Sequence, residues 1–397
     1  LGRRMDEALA AYERAVQLVS PPNAAAAQGH VPYQAEEQAG LYLSLGQVRY
    51  SRKEYAAALA AFDKAIELHP GYAMAHFWRA DTLHELRRPD DSIAAYEQAV
   101  RYDPTMERAY YNMGVALQGK GRLDKAIAAY SRAIAITPKA DSHYNMAKAL
   151  RYSGDEAGSE AAYRKAIELN PKLAPAHWSL GALLVEEGRF AEALPCLERG
   201  CQCRAAADGP EIAEKWVNQA RRFVELEAKL PRILDGSDRP ATPGERLEYA
   251  SVCRRKRLDA AAARFYADYL AERPAAADSL EAGHRYLAAT VAARAGTGQG
   301  HDAAGLDDAD RARWRRQALD WLRADLALWT ARVDGPPAGR SSARAALQRW
   351  RDDKALAGVR EPQELAKLPE PERAGYVRFW ADVQEVLVRS LAVRPEK

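Results

Sequence analysis

Residues 123–138 read LDKAIAAYSRAIAITP, and the same phrase returns with small changes at 57–70 (AALAAFDKAIELHP), 91–104 (DSIAAYEQAVRYDP) and 158–171 (GSEAAYRKAIELNP). Pro70, Pro104 and Pro138 stand 34 residues apart and Pro171 follows after 33. Within each phrase a small residue (Ala58, Ser92, Ala126, Ser159) precedes an aromatic one by four positions (Phe62, Tyr96, Tyr130, Tyr163). That spacing puts both on one helical face: the small residue admits a neighbouring helix and the ring fills the space beside it. Ala65, Ala99, Ala133 and Ala166 make room for the next helix. Proline closes each phrase because it lacks an N–H and clashes with the preceding turn. Ahead of each phrase lies a second amphipathic helix, such as ERAYYNMGVALQGKG (107–121), with Gly46 and Gly114 at close-approach positions.

A helical pair repeated at about 34 residues matches the tetratricopeptide repeat (TPR), a unit that buries its apolar face only by stacking on its neighbours. Tyr110, Met113, Gly114, Leu117, Ala126, Tyr130, Ala133 and Pro138 follow the pattern in one repeat. The expected fold is all-α: a TPR helix-turn-helix solenoid, a right-handed superhelix, followed by a C-terminal helical module. Repeats are read at 39–72, 73–106, 107–139, 140–173 and 174–207. In the last, Leu197 replaces the aromatic and no proline follows, but Trp178, Leu180, Gly181 and Ala193 keep the pattern. MDEALAAYERAV (5–16) aligns with LDKAIAAYSRAI, so residues 1–19 read as the second helix of a repeat whose first is missing. The chain is therefore expected to be a fragment of something longer. Residues 20–38 read as an insertion.

Beyond the array, EIAEKWVNQARRFVELEAKL (211–230) reads as a helix with Ile212, Trp216, Ala220, Phe223 and Leu226 on one side, capping the repeats within 208–230. Residues 231–244 read as a linker and 245–295 as degenerate TPR-like helices, with Ala250, Ala262, Tyr266 and Pro274 in register. Arg254–Arg255–Lys256–Arg257 falls at an inter-helix turn and is expected to be solvated. The glycines at 296, 298 and 300 follow a helix instead of a strand and lack the Gly-Lys-Ser/Thr ending, so 296–307 reads as a linker and not a phosphate loop. The module at 308–393 opens with a long helix to about Val333. Asp307, Asp308 and Asp310 complement its dipole, and Trp314, Ala318, Trp321, Leu322 and Trp329 form an apolar face to be packed as core. Helices near 341–352 and 372–392 carry Trp350, Phe379 and Trp380 onto it.

The phrases GHRYLAATVAARAGTGQG (283–300), LDDADRARWRRQALDWLRADLALW (306–329), LQRWRDDKALAGVREPQELAKLPEPER (347–373) and FWADVQEVL (379–387) resemble the tail of TPR-bearing serine/threonine protein kinases of planctomycete bacteria. The resemblance covers about 210–393. It implies a regulatory or docking tail for a kinase domain that this chain does not carry. Leu287–Ala288–Ala289–Thr290 departs from the family's Asn-Ala-Ala-Cys.

Composition excludes several classes. The formal net charge of +3 over 397 residues is too balanced for an obligatory nucleic-acid or anionic-membrane partner, and no run of about 20 apolar residues provides a membrane span. Cys196, Cys201, Cys203 and Cys253 form no C-x-x-C pair and read as reduced thiols of a cytoplasmic protein. Kinase, Walker, nucleophile-elbow and zinc-protease motifs are absent, so no catalytic residue, metal or cofactor is expected. His76, His143 and His177 recur at one repeat position and read as packing residues. The candidate site is the face of the first helices, through repeat positions 2, 5, 6, 9, 12 and 13. These give Phe77, Trp78, Asp81, His84, Arg108, Tyr111, Asn112, Gln118, Tyr144, Asn145, Lys148, Arg151, Tyr152 and Trp178. Aromatics, amides and cations together suit an extended peptide of a protein partner. Asn112 and Asn145 occupy equivalent positions and are expected to pair with peptide backbone. Phe77 and Asp81 stand where the clamp of chaperone-tail binders has Lys and Asn.

Overall fold

The computed structural model describes residues 2–19, 31–203 and 210–391. Among them there is no strand. The helices are α1 (Gly2–Val19), α2 (Val31–Ser51), α3 (Tyr55–Leu68), α4 (Ala73–Glu85), α5 (Pro89–Tyr102), α6 (Glu107–Gly119), α7 (Leu123–Ile136), α8 (Ala140–Ser153), α9 (Glu156–Leu169), α10 (Ala174–Glu186) and α11 (Phe190–Gln202). They continue as α12 (Pro210–Leu234), α13 (Pro243–Arg255), α14 (Asp259–Glu272), α15 (Pro274–Ala277), α16 (His284–Gly296), α17 (Asp308–Asp334), α18 (Pro337–Asp352), α19 (Pro362–Leu365) and α20 (Glu370–Leu391), with 3₁₀ turns at Ala303–Gly305 and Lys354–Val359. Two compact units result: Leu1–Leu180 with Arg199–Ala205 (unit 1), and Gly181–Glu198 with Ala206–Lys397 (unit 2).

In unit 1 the helices pair in sequence, α2 with α3, α4 with α5, α6 with α7 and α8 with α9. Each second helix stops two residues before its proline. The residues before the prolines, His69, Asp103, Thr137 and Asn170, all have φ between −132° and −147°. The proline ring excludes the α region at the residue that precedes it, so all four helices end for the same reason. The insertion at 20–38 is only partly described: Ser20–His30 lie outside the described residues, and from Val31 the chain is already helical. The C-terminal end of the fifth repeat, from residue 204, also lies outside them.

Close approach between paired helices follows a two-residue code. In repeats with Gly46 and Gly114 at position 8, the residue at position 20 is Ala58 or Ala126. A Cβ added at Gly114 would lie 2.6 Å from the Tyr130 ring. In the other two of these four helical pairs position 8 is Ala80 or Ala147 and position 20 is Ser92 or Ser159, all four buried. There the serine hydroxyl donates to the carbonyl of position 8 of the same repeat, at 2.8 Å for Ser92 and 2.9 Å for Ser159. A buried hydroxyl is tolerated because it has this acceptor. The cores are local: one cluster centres on Phe62, another on Phe77 and Tyr96, a third on Tyr130.

Unit 2 has one contiguous core running from Phe190 through Tyr266, Trp314, Trp329 and Trp350 to Phe379 and Leu387. The tryptophan face of α17 is packed, with Trp314 and Trp329 buried. Asp307 caps that helix by accepting from the Asp310 amide at 2.8 Å. Two sequence expectations are corrected here. Trp216 is 47% exposed and Val217 takes its place in the stripe, followed by Ala220, Phe223, Leu226 and Leu230. The stripe drifts because these contacts step by three or four residues from Leu230 back to Val217, and Trp216 falls just off it. The Ile212 side chain lies outside the described residues. The basic turn is not simply solvated either. Arg255 is half-buried with its guanidinium 5.0 Å from the centre of the Phe223 ring, and Lys256 bonds Glu227 at 2.5 Å. Burial pushes Arg255 down to about 10.

Candidate functional site

First helices of successive repeats also touch one another, α2 with α4, α4 with α6 and α6 with α8, while second helices of successive repeats approach less. The row of first helices is therefore the inner side of unit 1, and most of the predicted residues lie along it.

Asp81 of α4 is the most constrained of them. Its Oδ1 accepts from the Tyr96 hydroxyl and, at 2.9 Å, from Asn112 Nδ2 of the next repeat. Burial pushes its carboxyl above the usual range, opposed by these two bonds and by the charges of Arg108 and His84. Around it Tyr50, His84, Glu85, Tyr96, Asn112 and Val115 enclose a concavity of about 150 Å³. One repeat further on, Asn145 Nδ2 donates to the Tyr111 hydroxyl at 2.8 Å. Burial also raises the Tyr111 hydroxyl. Gln118 accepts from the Tyr130 hydroxyl at 3.0 Å. Lys148 lies 5.5 Å from the centre of the Tyr144 ring, and Arg108 lies 5.1 Å from that of Phe77.

The two asparagines thus differ from the sequence expectation in one respect. One N–H of each amide is already engaged, and each bond joins one repeat to the next, so they position the inner face as well as present it. Phe77 does not line that face. It is 2% exposed, packed on Tyr96 with ring centres 6.0 Å apart and covered by Trp78 and the Arg108 guanidinium, whereas Tyr111 and Tyr144 at the same repeat position stay partly exposed. Trp78 is half-buried against Phe62 and Tyr50. His84 and Arg108 are exposed; Tyr144, Lys148, Arg151 and Trp178 are partly so, and Tyr152 is 71% exposed. The lining residues that the sequence list lacks are Tyr50, Glu85, Tyr96 and Val115. The sequence gives Tyr96 only a packing position, and the three-dimensional fit adds its hydroxyl reaching Asp81.

Two of the three recurring histidines serve the repeat joints. His76 and His177 place Nε2 at 2.8 and 3.0 Å from the carbonyls of Pro70 and Pro171. Among the described residues no group of three or more His, Cys, Asp or Glu is placed to hold a metal ion, and no helix is long and apolar enough to cross a membrane.

The tetratricopeptide-repeat profile matches residues 43–94, 80–141 and 140–173. Residues 43–173 are tetratricopeptide repeats. Among solved structures, the chain is similar to YrrB, described as a TPR protein with an unusual peptide-binding site (19% identity, 47% of this chain and 98% of that one, TM-score 0.41). It is similar as well to MamA from Desulfovibrio magneticus RS-1 (18%, 43% and 97%, TM-score 0.41) and to PilF of Pseudomonas aeruginosa (17%, 62% and 96%, TM-score 0.40). No curated protein sequence matches the chain. The TPR segment is a protein-interaction scaffold in fold.

Proposed function

We propose that unit 1 binds an extended peptide segment of a protein partner along the inner face of α4, α6 and α8. The observation that carries this reading is the row of cross-repeat bonds, Asn112 to Asp81 and Asn145 to Tyr111. It aligns polar side chains at repeat spacing next to partly exposed Tyr111 and Tyr144. Amide and hydroxyl groups at that spacing can meet successive backbone groups of an extended chain, while the rings between them take alternate side chains. Arg108, Lys148 and Arg151 favour an acidic or phosphorylated ligand.

The test uses a captured peptide and two variants of the full chain. Asn112→Ala with Asn145→Ala should weaken binding by about 1–3 kcal/mol through lost hydrogen bonds, and should also lower Tm because it severs two joints between repeats. Lys148→Glu should leave the helical content and Tm unchanged and still weaken an acidic peptide about tenfold. Unchanged affinity in a folded Lys148→Glu protein would remove the acidic-ligand reading, and unchanged affinity in both variants would remove the groove.

A second reading, a regulatory or docking tail of a bacterial serine/threonine kinase, rests on the resemblance of residues 210–393 to such tails. Adding the chain to a kinase domain of that family should change its autophosphorylation rate. An unaltered rate excludes the reading.

A further inference from the structure

Unit 2 encloses a separate concavity of about 460 Å³, within the range of roughly 300–1,000 Å³ typical of small-ligand sites. Its walls are aromatic. Trp329 and Trp350 are 8% and 3% exposed, so their positions are fixed by the core. Tyr286 stacks on Trp350 with ring centres 5.3 Å apart and planes 6° from parallel. The Tyr286 hydroxyl donates to Asp353 Oδ2 at 2.5 Å, which locks the ring in place.

The polar lining is mostly acidic. Glu281, Asp325, Asp352 and Asp353 line the cavity with Arg349, while Arg285 and Arg332 reach Asp325 and Glu281 from outside the lining. Asp325 forms part of the buried floor, where Arg285 donates to its Oδ1 at 3.0 Å. Asp353 is occupied by Tyr286 and by the Ala355 amide at 2.8 Å. Asp352 stands exposed at the rim. Trp350 has Tyr286 and Phe379 stacked against it, so Tyr286 and Trp329 are the lining rings left to meet a ligand, and aromatic rings beside carboxylates favour a flat cation.

The molecule itself displays the pairing. The Arg332 guanidinium lies 5.2 Å from the centre of the Trp329 ring and bonds the Glu281 carboxylate at 2.5 Å. One wall and one rim carboxylate of the cavity thus already hold a guanidinium from this chain. A guanidinium stacks on an indole and forks onto a carboxylate, whereas an ammonium is a compact, strongly hydrated point charge. We infer that this cavity binds a second guanidinium group, that of an arginine side chain on a peptide or of arginine itself. Leu280 and Ala346, also in the lining, suit its methylene stem. The site is independent of the unit 1 groove.

The experiment titrates the full chain with Nα-acetyl-L-arginine amide by calorimetry at low salt. Saturable one-to-one binding is expected. The citrulline amide, which keeps the shape and loses the charge, should bind about tenfold more weakly, and the lysine amide several-fold more weakly. D352N should weaken arginine-amide binding about fivefold and D352K should abolish it, with circular dichroism unchanged because the residue is exposed. Free L-arginine binding as tightly as the amide marks the amino acid as ligand; weaker binding marks the peptide-borne side chain. Both are the inferred site. Absence of saturable binding, equal affinity for the citrulline amide, or unaltered affinity in folded D352K overturns the inference.

Discussion

The two units solve the same packing problem in opposite ways. Unit 1 repeats a small local fit, with Ala, Gly and Ser at the crossings and one large ring per pair, and its ion pairs are mostly at the surface. Its stability is therefore close to a sum of repeats and the joints between neighbours. Unit 2 closes around a single core and buries charge across long stretches of chain. Arg285 reaches Asp325, Arg315 reaches Glu372 at 2.5 Å, and Arg294 lies 2.7 Å from the fully buried Asp259. Such pairs gain little net stability as pairs but are costly to break singly. Damage should stay local in the first unit and spread through the second.

The largest effect expected is that of Arg285→Met, which leaves Asp325 buried without its partner. At pH 8 it should cost unit 2 about 3–5 kcal/mol, read from the urea transition of that unit, while the transition of unit 1 stays in place. Burial pushes the Asp325 carboxyl up to about 6 from an ordinary 3.8; Asp278 pushes the same way and Arg285 opposes. Without Arg285 the folded value rises further and the unfolded value does not. The folded protein then holds a proton that the unfolded chain lacks, so the deficit should shrink as pH falls from 8 to 5. A deficit equal at both pH values would contradict the buried-charge account.

Gly114→Ala should come next, at about 1–3 kcal/mol, because the new methyl meets the Tyr130 ring. Hydrogen exchange should quicken in α5 to α8 and not in α2 or α3. Uniform acceleration across unit 1 would show that the array melts as one body. The smallest effect is a gain. Gly119 ends α6 with nothing within 4 Å of an added Cβ, so Gly119→Ala should stabilise by less than about 1 kcal/mol. A loss there would mean that the helix end, and not the crossing, limits the repeat.

The same contrast governs what could be read from sequence. In unit 1 each contact joins residues within a repeat or one repeat apart, so the period of about 34 carries the pairing of α2 to α9 and the small positions at their crossings. The inner face was legible as a list of positions. Phe77 was misplaced because periodicity gives the direction of a side chain without the depth of the neighbouring rings. Asp81 was counted among groove residues, but its bond to Tyr96 joins two classes of position that sequence keeps apart. In unit 2 the cavity draws Tyr286, Asp325 and the Trp350–Asp353 pair from three separate segments with no recurring spacing. No local pattern could have assembled them.

The glycine–alanine and alanine–serine combinations at the helix crossings have a consequence for how such an array can grow. Both members of each combination belong to one repeat: the hydroxyl of Ser159 and the carbonyl of Ala147 travel together, as do Gly114 and Ala126. Duplicating a whole repeat copies lock and key at once, and its interior fits without further change. An exchange of single helices would not. It could bring a methyl from position 8 against a ring seated for hydrogen. The unit of inheritance is thus the complete helical pair, and tandem duplication is the route this packing leaves open.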